Sequence, residues 1–339
     1  MRIASVLRSL TVLFLGIHFA KASEMPRQDP EDKIEKPNLA TPTLGGAQLW
    51  GDELVFRDWR VQRNVVTGHH RLLDGRNIRR AWGTFDACRA KLDAIKRKRN
   101  LPAIEGKVVV VLHGLGRTRA AMNPLCRYLE EHGGYTVLNV GYPSTRASVG
   151  DHAAALARIL ADLDDAEEID FVGHSLGNLV IRHYLADETD ETTGRQPDSR
   201  IGRIVMLAPP NQGSERAERW AESKLFEVVL GPAGRQLAND WAALEGGLAT
   251  PACEFGILAG GRGDGRGWSR ALEGDDDGIV SVTATRLLGA RDFAVVPVLH
   301  TFIMSHETAL AYTLRFLEHG YFVADEKRQP IPRNGEDSP

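Results

Sequence analysis

The sequence predicts an α/β fold: a mostly parallel sheet covered by helices on both faces, with a possible small cap or lid inserted late in the chain. Three observations predict it. Short β-branched runs alternate with amphipathic stretches from Val108 to Leu317, the pattern of right-handed strand–helix–strand crossovers. The run Val108-Val109-Val110-Val111-Leu112 carries no polar alternation, as a strand buried on both faces requires. Lastly, a glycine-flanked turn, Gly173-His174-Ser175-Leu176-Gly177, joins one such run directly to a helical stretch.

The elements follow in chain order. Arg2 and Arg8 precede an apolar run from Leu10 to Ala20, and small residues stand at Ala20 and Ala22. This predicts a signal peptide over 1–22, cleaved after Ala22, and a secreted or periplasmic protein. The run is short for a membrane span, and an uncleaved anchor or a mitochondrial presequence are the alternatives the pattern leaves. Residues 23–46 are polar with Pro26, Pro30, Pro37 and Pro42, which disfavours helix and predicts a linker. Residues 47–104 read as an N-terminal extension: loose alternation from Leu49 to Val66 predicts a peripheral hairpin. Thr84 predicts an N-cap for a helix ending near Arg99, with basic residues gathered at its C-terminal end.

The catalytic domain is expected over 105–325. After the strand at Val108–Leu112 come a helix from Arg119 to Glu131, a strand at Tyr135–Val140, and a helix at Asp151–Leu163. A strand at Ile169–Val172, a helix at Leu176–Ala186 and a strand at Ile204–Leu207 follow. A possible cap occupies 211–250. Strands at Glu254–Ala259 and Phe293–Val298 and a helix at Ser305–Leu317 close the domain, and the polar tail 326–339 is expected to be disordered.

Composition limits the chemistry. The 339 residues are 42% hydrophobic and 26% charged, with a formal net charge of -3. A sizeable core can therefore form, and nothing draws the chain as a whole to nucleic acid. Cys88, Cys126 and Cys253 allow at most one internal disulfide. Their spacing suits neither zinc nor an iron–sulfur cluster, so they read as buried residues.

The GxSxG spacing at 173–177 arises by chance in about a tenth of chains this long, so context decides its meaning. Here it follows a buried strand and opens a helix, the setting of a nucleophile elbow, in which a strained turn lifts Ser175 clear of the sheet. A serine hydroxyl needs a base, and the base needs an orienting carboxylate. His183 is too local to Ser175, and His319 ends the last helix. His300 follows the Phe293–Val298 strand at the carboxyl edge, where sites of open parallel sheets form, with His306 as runner-up. Among Asp275, Asp276 and Asp277, the last precedes a glycine turn and apolar residues and is the candidate acid. The three could alternatively be a solvated acidic loop or a calcium site. An oxyanion would require backbone N–H donors. Leu176, directly after the serine, and Leu115 in His113-Gly114-Leu115-Gly116 are the candidates, with His113 orienting the loop.

The motifs HGLGR at 113–117, GHSLGN at 173–178, APPNQGS at 208–214, DGIVSV at 277–282 and HTFIM at 300–304 resemble those of the α/β-hydrolase superfamily, in its bacterial lipase and esterase branch. They run from 113 to 304 in family order; residues 1–100 lie outside the resemblance. It implies catalytic Ser175, Asp277 and His300, an oxyanion hole at Leu115 and Leu176, no organic cofactor and no metal. Lipid-like or small esters are the expected substrates, with transient contact to a lipid interface.

Other signals are less specific. Tyr142-Pro143-Ser144-Thr145 could wall an acyl pocket or form a surface turn. Arg262-Gly263-Asp264 sits in a glycine-rich stretch, Gly260 to Gly267, that lacks a phosphate-loop ending. The stretch from Trp220 to Trp241 reads as a lid or as a packing helix. An acyltransferase, a lipid deacylase or thioesterase on the same residues is the neighbouring enzyme reading. A binding or adhesion module displaying 262–264 is the reading from another class, which has no need of serine, acid, histidine and oxyanion loop together.

Overall fold

The structure is a computed structural model that describes residues 41–42, 46–188, 198–213 and 224–333. All lie within one unit, Asn38–Pro339; the other, Met1–Pro37, falls outside the described residues, as do the expected signal peptide and nearly all of the expected linker.

The N-terminal segment builds more than a hairpin. Strands β1 (Thr41–Pro42), β2 (Trp50–Phe56), β3 (Trp59–Asn64), β4 (His70–Leu73) and β5 (Ile78–Gly83) form a five-stranded antiparallel sheet in the order β1-β5-β4-β3-β2. The β4–β5 turn closes because the Asp74 carboxylate accepts the N–H groups of Arg76 and Ile78 at 3.0 and 2.9 Å, a local side-chain turn. Helix α1 (Phe85–Arg99) follows, and the Thr84 hydroxyl accepts the Ala87 N–H at 3.2 Å. The expectation of a peripheral extension is corrected here. Leu54, Val61, Leu72 and Leu92 are buried in the same core as the central sheet.

That central sheet has six parallel strands: β6 (Gly106–Leu112), β7 (Thr136–Val140), β8 (Ala166–His174), β9 (Ile201–Leu207), β10 (Phe255–Gly261) and β11 (Asp292–Pro297), ordered β11-β10-β9-β8-β6-β7. Between them run α2 (Asn123–Gly133), α3 (Val149–Ala161), α4 (Leu176–Glu188), α5 (Lys224–Ala238) and α6 (Trp241–Glu245); α7 (Glu307–His319) closes the fold. Successive strand residues point to opposite faces. Val108, Val110 and Leu112 therefore join one core with α3, α4 and the antiparallel sheet, whereas Val109 and Val111 join another with α2 and α7. Covering both faces is what removes polar alternation from these strands.

Two segments depart from the reading of the sequence. The tail folds back as far as Arg333: Ile331 is buried, accepts the Gly289 N–H and donates its own N–H to Ala290. Gln329 N–H donates to Asp292 Oδ1 at 2.8 Å and Arg333 Nη2 to Pro251 O at 3.3 Å, so bonds of main chain and side chain hold a stretch whose composition alone reads as disordered. In the expected cap, α5 kinks at Gly231, where φ is 66°, just before Pro232. Residues 214–223, including Trp220, lie outside the described ones. Among the described residues no helix is long and apolar enough to cross a membrane.

Candidate active site

Strand β8 ends at His174 and α4 begins at Leu176, so the whole turn between them is Ser175. Its φ is 52°, a left-handed conformation that is costly for a residue bearing a Cβ. Hydrogen bonds hold the turn: the Ser175 N–H donates to Leu207 O at 2.9 Å, and Ser175 O accepts the Asn178 N–H at 3.0 Å. Glycines permit the surrounding approach. A Cβ at Gly177 would stand 2.7 Å from Leu112 O, and one at Gly173 would collide with the Asn178 side chain. Ser175 is left partly exposed at the carboxyl edge of the sheet.

Asp277 and His300 meet at that edge. Asp277 packs against the end of β10, since a Cβ at Gly260 would lie 2.7 Å from its own. His300 opens a 3-10 turn three residues beyond β11. Both side chains are buried, and His300 Nδ1–H donates to Asp277 Oδ2 at 2.7 Å. The other carboxylate oxygen, Oδ1, accepts the N–H groups of Ile279 and Val280 at 2.9 and 2.8 Å, and the His300 N–H donates to Asp277 O at 2.9 Å. Two N–H groups thus fix the carboxylate, and a third holds the Asp277 main chain, so that the carboxylate is set to orient the imidazole.

Its neighbours have other tasks. Asp275 accepts the N–H groups of Arg262 and Gly263, both at 2.7 Å. Asp276, fully buried, accepts those of Ser269 and Gly278. Both aspartates therefore fold the glycine-rich loop that carries Arg262-Gly263-Asp264. His306 is the residue preceding α7, and its buried Nδ1 has no hydrogen-bond partner among the described residues.

The elbow also reaches His300 through a residue that sequence reasoning passed over. His174 is buried, and its Nε2–H donates to His300 O at 3.1 Å, so a proton on Nε2 leaves Nδ1 as the bare nitrogen. Burial, reinforced by the neighbouring His300, holds the His174 imidazole well below its usual pKa and hence neutral. Its position inside the GxSxG spacing was the one available signal.

The loop after β6 lies beside the serine. A Cβ at Gly114 would stand 3.2 Å from Ser175 Cβ and 2.9 Å from His174 Nδ1. Neither the Leu115 N–H nor the Leu176 N–H has a hydrogen-bond partner among the described residues. Tyr142 is buried and braces the loop. Its ring stacks on His113 at 4.1 Å, and its hydroxyl donates to His113 O. Ser144 Oγ accepts the Gly116 N–H at 3.0 Å, and Gln48 Nε2 donates to Arg117 O at 2.6 Å. His113 itself is pulled down to about 4 by burial, so it stays neutral. In the APPNQGS segment, buried Asn211 accepts from Arg182 Nη1 at 3.1 Å and donates to Thr285 O at 2.9 Å.

Cys88 and Cys126 are buried, Cys253 is half-buried, and all three thiols are free. Burial pushes them up to about 11, 12 and 11 respectively, which makes them poor nucleophiles.

A six-stranded parallel sheet in this order, with a positive-φ serine between β8, its third strand in chain order, and α4, has the architecture of an α/β-hydrolase fold. A family described as "Domain of unknown function (DUF7379)" matches residues 76–239. That span holds Ser175 and stops short of Asp277 and His300. No curated protein sequence matches the chain. Among solved structures, the mature form of a Bacillus licheniformis lipase is similar at 19% identity and a TM-score of 0.44, over 60% of this chain and 88% of that one. Phospholipase PlaB from Legionella pneumophila is similar at 18% and 0.46, over 62% of this chain and 60% of that one, so the chain spans about three-fifths of its length. A Staphylococcus hyicus lipase is similar at 11% and 0.45, over 59% and 89%.

Proposed function

We propose that the chain is a serine carboxylic-ester hydrolase that works through an acyl-enzyme. In this reading Ser175 Oγ attacks the ester carbonyl, and His300 Nε2 takes its proton and later returns one to the leaving alcohol. Asp277 Oδ2 holds the Nδ1–H tautomer and stabilises the imidazolium. The Leu115 and Leu176 N–H groups receive the oxyanion. Water then attacks the acyl-enzyme by the same route and frees the acid.

The observation that carries the reading is the pairing of a positive-φ serine elbow with a 2.7 Å His300–Asp277 bond at one edge of the sheet. A binding module has no use for a strained serine turn and an oriented imidazole together. A lipid-like substrate is supported by the apolar rim: Trp268, Leu299 and Phe302 are 48%, 37% and 56% exposed. Leu299 precedes His300, and both Trp268 and Leu299 lie against Gly278, next to Asp277. Export belongs to the same proposal and rests on the charge and apolar pattern of residues 1–22; a mature chain beginning at Ser23 is its readout.

The test is labelling with a fluorophosphonate alongside hydrolysis of chromogenic esters of short and long acyl chains. Wild-type protein is expected to carry the label on Ser175 and to turn over esters. Ser175→Ala is expected to do neither while keeping its melting temperature; turnover that survives in a folded Ser175→Ala protein removes the serine mechanism.

A further inference from the structure

A cavity of about 330 Å³ opens between the antiparallel sheet and the segment that follows β6. That volume is at the small end of ligand sites, roughly 300–1,000 Å³. Arg71 and Arg119 both line it. Arg71 is buried, with its guanidinium stacked over the Trp50 ring at 3.9 Å. Its Nε and Nη2 donate to Gln62 Oε1 at 3.0 and 2.7 Å, while Nη1 has no partner among the described residues. Arg119 donates through Nη2 to Asn77 Oδ1 at 3.0 Å. Among the described residues neither guanidinium forms an ion pair.

The nearby carboxylate is already committed. Asp52 Oδ2 accepts from Arg60 Nη1 at 2.6 Å and from the Gly141 N–H at 2.7 Å, and Oδ1 accepts from Gln62 Nε2 at 2.7 Å. Asp52 is thus paired to Arg60, and Arg71 and Arg119 remain on one small cavity without an ion pair of their own. Burial pulls Arg71 down to about 10, with Asp52 attracting and Arg79 repelling; it lowers Arg119 too, where Arg60 repels and Asp52 and Asp58 attract. The neutral lining also donates. Asn123 Oδ1 is occupied by Asn139 Nδ2 at 3.0 Å, which leaves Asn123 its NH₂ group to offer, and Thr118 adds a hydroxyl.

We propose that this cavity binds a phosphate-class dianion, as free phosphate or as the phosphate of a headgroup. Two unpaired guanidiniums match a group carrying close to two negative charges near neutral pH, whereas a carboxylate would compensate only one. Arginine's planar donors and an amide NH₂ suit tetrahedral oxyanion oxygens. Such a ligand would tie the antiparallel sheet to the 113–123 segment, because Thr118, Arg119 and Asn123 lie just beyond Leu115, and His113, also in the lining, immediately precedes the Gly114 that packs on Ser175.

Calorimetric titration of the full chain with inorganic phosphate, glycerol 3-phosphate and glycerol tests the proposal without reference to ester turnover. Both phosphates are expected to bind and glycerol is not. Arg71→Gln and Arg119→Gln are each expected to weaken binding by about tenfold or more. Glycerol 3-phosphate binding more tightly than phosphate marks a headgroup as the source; equal or weaker binding marks the free anion. Arg119→Gln, at a half-buried side chain, serves if Arg71→Gln does not fold. Absence of saturable phosphate binding in the wild-type chain, or binding unchanged in folded Arg119→Gln, overturns the site.

Discussion

His300 Nδ1 lies 2.7 Å from Asp277 Oδ2, while the two carboxylates that precede it in the chain, Asp275 and Asp276, are occupied by backbone N–H groups. Asp277→Asn is therefore expected to lower kcat by about 10⁴, because an amide favours the wrong imidazole tautomer. Asp276→Asn should instead destabilise the protein, by about 1–3 kcal/mol, since it disturbs a buried acceptor of two N–H groups. Ester turnover and melting temperature measured on the two variants separate these outcomes. A larger loss of kcat in a folded Asp276→Asn would transfer the role.

The two candidate histidines are distinguished in the same way. His300→Ala is expected to lose activity about as completely as Ser175→Ala, and the double variant no more than either, because residues acting as one unit do not add. His306→Ala, at the start of α7, should keep most of its turnover, because Asp277 is bonded to His300. Steady-state kinetics on the three variants and the double is the measurement.

What the sequence made legible follows from which side chains were buried on which faces. The parallel strands could be read because burial on both faces demands unbroken apolar runs such as Val108 to Leu112, and α1 because Thr84 and its basic last turn mark both ends. Gly278 after Asp277, and the strand before His300, pointed to the two side chains that the fold brings together. Strands β4 and β5 were not legible. Arg71, Arg79 and Arg80 break any apolar alternation, and their partners, Gln62 for Arg71 and Asp74 for Arg80, are supplied by pairing across the sheet and by the β4–β5 turn. The roles of His174 and Tyr142 were hidden for a related reason: each bonds main chain that is distant in sequence, 126 and 29 residues away.

Buried imidazoles give the protein a pH signature. His113 and His152 are both pulled down to about 4 by burial, and His174 lies well below its usual value. In the unfolded chain they titrate near about 6.5. Between those values the unfolded chain binds protons that the native state excludes, so stability falls as pH drops from about 6.5 toward 4. Asp170, raised to about 6 by burial, works the other way: its contribution is present at low pH and lost as pH rises through about 6. Glu130 and Asp162 are raised by burial as well and act in the same sense as Asp170; the three imidazoles set the net sign, and melting temperature is expected to fall on acidification across this window. His152→Gln should shallow that dependence by about one proton; an unaltered slope would remove His152 from the account.

Two glycines should separate folding from catalysis. A methyl at Gly177 would meet Leu112 O at 2.7 Å and His113 O at 3.0 Å, backbone atoms of a central strand that cannot yield. Gly177→Ala is expected to cost about 3 kcal/mol or more, seen as a lowered denaturant midpoint. At Gly114 the contacts are the His174 ring and Ser175 Cβ. Gly114→Ala should remain folded but lose about 10- to 100-fold in kcat, through misplacement of the serine and of the Leu115 donor.

The last prediction concerns the N-terminal sheet, which composition makes look dispensable. Asp52 bonds it to the parallel sheet twice through one residue pair: its N–H donates to Gly141 O at 2.8 Å, and its carboxylate accepts the Gly141 N–H. The same carboxylate, 1% exposed, holds Arg60, whose guanidinium also donates to Asn139 O at 2.9 Å. Asp52→Ala would strand a buried guanidinium, and removing one partner of a buried pair costs about 3–5 kcal/mol. Asp52→Asn keeps the Gly141 contact available but loses the charge, and should cost less. The double variant Asp52→Leu with Arg60→Leu leaves no uncompensated charge and should recover part of the loss. Denaturant melts of Asp52→Leu, Arg60→Leu and their double variant give the coupling energy, and Asp52→Ala and Asp52→Asn are melted alongside. If Asp52→Ala melts like wild type, the antiparallel sheet is an appendage, and the hydrolase fold stands without it.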